Sequence, residues 1–98
     1  MKPPRDCTAR EVTRAIRVLS EIARERLVLS ERPARYYSLN PDGTQTLIGR
    51  HMSDAYNFVR AEAAELIDNK EERMRFWHVS WRIRRSAQYG VTGLARVF

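Results

Sequence analysis

Three side chains in this sequence are strong transition-metal ligands: Cys7, His51 and His78. None is spaced with another as a zinc site requires, so no metal is expected. Cys7 falls just before a strong helix-start signal, where a helix dipole would lower a thiol pKa. A single cysteine without further catalytic partners reads more simply as an inert thiol. His51 stands beside Ser53 and in principle offers a base, but a lone histidine reads as structural or exposed. The acids Glu62 and Glu65, and Glu71 and Glu72, fall on helix surfaces without the convergent geometry that general acid–base catalysis needs. The chain has no phosphate-binding loop, no GxGxxG and no nucleophile elbow. The expectation is a non-enzyme with no cofactor and no small-molecule substrate.

What the sequence offers instead is arginine. The chain carries a formal net charge of +6, and its only lysines are Lys2 and Lys70. The charge is unevenly placed, with a balance of +4 over residues 1–50, −4 over 51–72 and +6 over 73–98. Arg73, Arg75, Arg82, Arg84 and Arg85 stand in that last segment, which contains no acid. Guanidinium groups pair with phosphates and carboxylates through a planar fork. Acids early and bases late suit a helix dipole, but an acid-free basic end also fits contact with nucleic acid or with an acidic partner.

Aromatic residues are interleaved with these arginines: Phe76, Trp77 and Trp81. Drawn on a helical wheel at about 100° per residue, Met74, Trp77 and Trp81 share one side, and Phe76, Val79 and Ile83 the opposite side. A surface helix needs only one apolar stripe. Two stripes imply a helix sandwiched within the fold, or one that offers a face to another molecule. Phe76, Trp77, Val79, Trp81 and Ile83 are therefore candidate protein-interface residues. If the helix is continuous, Trp77 and Trp81 extend the core stripe of the segment before them, and Phe76, Val79 and Ile83 are the outward face. A break near Asn69 would exchange the two.

These side chains depend on one stretch, residues 53–90, which has no internal Gly or Pro. Ser53 is a good N-cap with Asp54 behind it, and Gly90 suits a helix end. Tyr56, Val59, Ala63, Leu66, Ile67, Met74, Trp77 and Trp81 recur at helical period. Asn69 with Glu72 offers a second capping start, so one long helix and two shorter ones both fit.

Upstream, Thr8 with Glu11 is a capping box, predicting a helix to about Arg26. Its apolar face is Val12, Ala15, Ile16, Leu19, Ile22 and Ala23. The other face carries Arg10, Arg14, Arg17, Glu21 and Arg24, a solvated row interrupted by acid. Tyr36–Leu39 and Thr44–Ile48 are rich in aromatic and β-branched residues. Asn40-Pro41-Asp42-Gly43 between them suits a type I turn with a following bulge. Pairing Asn40 with Thr44 sets Tyr37 against Leu47 and Tyr36 against Ile48. Such a hairpin is marginal alone and needs the helices, or a third strand from Leu27, Val28 and Leu29 or from the tail.

At 98 residues, 43% hydrophobic and 31% charged, the chain should fold as one domain. Residues 1–6 are expected to be a mobile arm and 91–98 a tail that adds a strand or docks. No apolar run suits a membrane span or signal peptide, and one cysteine fits the cytoplasm. The fold expected is thus α+β: a helix, a two-stranded antiparallel hairpin, then a long or broken helix. The function expected is a small cytoplasmic, nucleic-acid-associated regulator that contacts phosphate through Arg73, Arg75, Arg82, Arg84 and Arg85. The alternative is a protein-binding adaptor or inhibitor of the phage or mobile-element type, docking an aromatic and Arg face on a larger target. Either is compatible with a homodimer. No helix-turn-helix order, RNP pattern or zinc finger is present, so the nucleic-acid reading rests on charge.

Overall fold

The computed structural model describes residues 6–31 and 34–85. The expectations for residues 1–5, for the helix end at Gly90 and for the tail lie outside them. The order of elements is α1 (Ala9–Arg26), β1 (Leu27–Glu31), β2 (Ala34–Leu39), β3 (Gln45–Gly49), α2 (Met52–Glu65) and α3 (Lys70–Arg85).

The capping box at Thr8 forms as its sequence demands. The Thr8 hydroxyl oxygen accepts from the Glu11 N–H at 3.1 Å, and the Glu11 carboxylate accepts from the Thr8 N–H at 3.0 Å. Val12, Ala15, Leu19, Ile22 and Ala23 are buried and Ile16 is half-buried. The helix then passes into β1 without a loop. Leu27 is already extended (φ −97°, ψ 137°) while its N–H still donates to the Ala23 carbonyl.

That transition supplies a third strand, so the sheet has three antiparallel strands in the order β1-β2-β3 and not two. Val28 pairs with Tyr37, and Tyr37 with Leu47. The Asn40–Gly43 turn closes with the Asn40 N–H donating to Thr44 O at 2.8 Å, and Gly43 takes φ +87°. The register differs from expectation at one place. Tyr36 pairs with Gly49, across a bulge, and not with Ile48. Gly49 is required there, because a Cβ would run into the Asp54 carboxylate. Tyr36 and Ser38 are buried on the helix-facing side of the sheet, whereas Leu39 and Leu47 on the other side are exposed.

The segment 53–90 is not one helix. It starts earlier than Ser53, with His51 at the N-cap and its N–H donating to the Asp54 carboxylate at 3.3 Å. It stops at Glu65 and restarts at Lys70, where the Asn69 side-chain oxygen accepts from the Glu72 N–H at 3.0 Å. Arg73 braces the corner by donating to the Ile67 carbonyl at 3.0 Å.

The break decides which face is core. α2 buries Tyr56, Val59 and Ala63; α3 buries Phe76, Val79 and Ile83. In an unbroken helix these two sets would lie about 160° apart, at about 100° per residue. Folding back at residues 66–69 lets both sets face one core. Leu66 and Met74, expected in a continuous core stripe, are instead 68% and 62% exposed.

Candidate binding face on α2 and α3

With α3 turned back beside α2, Arg60 of α2 reaches across to it. Its Nε donates to Ser80 Oγ at 2.7 Å, and an Nη donates to the Trp77 carbonyl at 2.6 Å. The guanidinium lies 4.3 Å from the centre of the Trp77 ring and 5.6 Å from that of Trp81. Arg84, one turn beyond Trp81, lies 5.5 Å from the same ring. Two cations and two indoles thus form one cluster, and cations over indole faces are attracted by the ring quadrupole. Ser80 is fully buried beneath it, its hydroxyl donating onward to the Trp77 carbonyl at 3.1 Å. The buried Tyr56 hydroxyl donates to the Ser80 carbonyl at 2.8 Å, and burial pushes its pKa up.

Electrostatically the cluster is unbalanced. Burial, together with the nearby Arg84, holds the Arg60 pKa below its ordinary value. Among the described residues no carboxylate pairs with Arg60 or Arg84. Arg26, by contrast, is matched: it pairs with Glu62 at 3.1 Å, donates to the Leu39 carbonyl at 3.0 Å and lies 5.5 Å from the Phe58 ring.

The five arginines expected to act together separate. Arg84 belongs to the tryptophan cluster. Arg73 is tied to the α2–α3 corner. Arg75 and Arg82 lie toward the start of α1, where Arg75 pairs with Glu11 and Arg82 reaches Asp6 at 3.3 Å. Arg85 ends α3, and its side chain lies outside the described set. The interface candidates divide in the same way. Phe76, Val79 and Ile83 are 8%, 3% and 0% exposed and pack inside the protomer. Trp77 is half-buried and Trp81 is 38% exposed, sharing their stripe with Met74.

Sequence reasoning passed over Arg60, one of two basic residues inside an acidic segment, 17 and 21 residues from the tryptophans. No local spacing marks it, because the α2–α3 turn alone makes the contact. Among the described residues no group of three or more His, Cys, Asp or Glu is placed to hold a metal. Cys7 is half-buried, and burial pushes its thiol pKa up despite the nearby Arg75. That is opposite in direction to the lowering that a helix dipole alone would bring. Among the described residues no helix is long and apolar enough to cross a membrane. Comparisons with protein-family models, curated proteins and solved structures return no match.

Proposed function

We propose that this is a small non-catalytic protein that binds nucleic acid through the α2–α3 face built from Arg60, Trp77, Trp81 and Arg84. The observation that carries the reading is the pair of guanidinium groups on Trp81, with no carboxylate paired to either among the described residues. Arg84 supplies a phosphate partner at the surface. Arg60, held by Ser80 and the Trp77 carbonyl, adds fixed positive potential beside it. Indole and guanidinium planes are the groups on which unpaired bases stack. An intracellular regulator working on single-stranded nucleic acid fits this chemistry.

The test is fluorescence anisotropy with labelled single-stranded DNA, single-stranded RNA and duplex from 50 to 200 mM salt. Binding should weaken steeply with salt, and Arg84→Glu should weaken it and flatten the slope by about 0.7 per lost single-strand phosphate contact. No binding of any of the three at 50 mM salt removes the reading.

One observation favours a protein partner instead. Met74 (62% exposed) and Trp81 (38% exposed) share an apolar stripe with Trp77, and Trp flanked by Arg is what protein hot spots use. Under that reading Met74→Glu abolishes capture of a host protein in the presence of nuclease, while Arg84→Glu changes it little.

A further inference from the structure

Arg75 and Arg82 stand seven residues apart on one seam of α3, a rise of about 10.5 Å along the axis. Both meet acceptors from the start of α1. Arg75 forks onto the Glu11 carboxylate, with one Nη donating to Oε1 at 2.9 Å and Nε to Oε2. The same Nη donates to the Asp6 carbonyl oxygen. Arg82 reaches the Asp6 carboxylate at 3.3 Å. Asp6 engages both arginines from a left-handed backbone, φ +65°, which a residue with a side chain adopts uncommonly.

We infer that Asp6 and Glu11 form an acidic latch that occupies Arg75 and Arg82 in the free protein, and that phosphates of a bound strand displace it. This rests on the nucleic-acid reading above. The Arg82–Asp6 pair exchanges easily, because its side chains are 37% and 58% exposed and a single contact so placed is weak. The Arg75 fork onto Glu11, whose side chain is 28% exposed, is the firmer half of the latch and yields only to a phosphate that replaces both of its bonds. Opening also leaves α1 intact, because the Glu11 carboxylate still accepts from the Thr8 N–H. The basic set of α3 is therefore held in two states. Arg84, half-buried on Trp81, has no carboxylate paired to it among the described residues, and Arg75 and Arg82 are latched against phosphate.

The test uses the full chain and a labelled oligo-dT strand in the same anisotropy titration. The variant is Asp6→Asn with Glu11→Gln; glutamine still closes a capping box, and a thermal melt checks the fold. Two freed arginines should tighten binding at 50 mM salt by about tenfold and steepen the salt slope by about 1.4. Adding Arg75→Gln and Arg82→Gln should return both to the parent values. A variant of equal charge, Glu65→Gln with Glu71→Gln, should tighten binding less. In the unaltered protein, the Arg75 Nε–H resonance should shift when oligo-dT is added. If the parent binds but the latch variant shows its affinity and slope, or matches the equal-charge variant, or if the Arg75 resonance stays put, the latch is overturned and the nucleic-acid reading survives. If no variant binds, both fall.

Discussion

Arg60→Ala tests whether the α2–α3 face is built as described. The substitution removes two hydrogen bonds from a charged donor, to Ser80 Oγ and the Trp77 carbonyl, each worth roughly 1.5–3 kcal/mol in mutational series. It also removes a close stack on Trp77 at 4.3 Å, worth about 0.5–2 kcal/mol. Two effects oppose this. The cation is desolvated and has Arg84 beside it, so its removal relieves a standing cost. The Trp77 carbonyl also keeps the Ser80 hydroxyl as a donor at 3.1 Å. The balance is a loss of about 2 kcal/mol, which lowers Tm by about 10 °C in a domain of this size. Arg60→Lys keeps the charge but not the fork, and should cost about half as much. Urea unfolding followed by far-ultraviolet circular dichroism reads the stability, and tryptophan fluorescence reports the indoles directly. A stability within about 0.5 kcal/mol of the parent, the range of ordinary surface substitutions, with unchanged fluorescence, would show that Arg60 does not join the helices.

Two further outcomes follow from burial and from charge. Ile83→Ala should cost about 2–5 kcal/mol, the range for truncating a buried aliphatic side chain, because Ile83 is fully buried; Met74→Ala on the opposite stripe should fall within about 0.5 kcal/mol, and a reversed order in urea unfolding would overturn the assignment of faces. Glu11 has its pKa lowered from 4.5 to about 2, first by the hydrogen bond from Arg75. A lowered carboxyl pKa stabilises the fold fully above the unfolded value and loses that contribution as pH falls through the folded value. Urea midpoints should therefore fall between pH 5 and pH 2, and fall less in Glu11→Gln; parallel profiles for the two proteins would contradict the pairing.

Local chemistry determined much of this protein. Thr8 with Glu11 and Asn40-Pro41-Asp42-Gly43 each specify a helix start or a turn through bonds between residues no more than four positions apart, whereas Asn69 with Glu72 offered a second start and left one long helix equally open. Such signals hold wherever the segment sits. The α1 core face was equally legible, because helical period alone sets it. The third strand was left open, since Leu27, Val28 and Leu29 suit a helix end or a strand, and pairing with β2 settles which. Two opposed apolar stripes on the last helix could be read from the sequence, but not which one is buried. The corner at residues 66–69 chose Phe76, Val79 and Ile83, because only by folding back can α3 share a core with Tyr56, Val59 and Ala63.

The same corner brought Arg60 onto the tryptophans, and the packing of α3 against α1 set Glu11 and Asp6 on Arg75 and Arg82. Composition counts charges, and sequence order groups them by position along the chain. Which charges neutralise each other depends on distances of a few ångströms between residues up to 76 positions apart. Those distances exist only after the helices have docked.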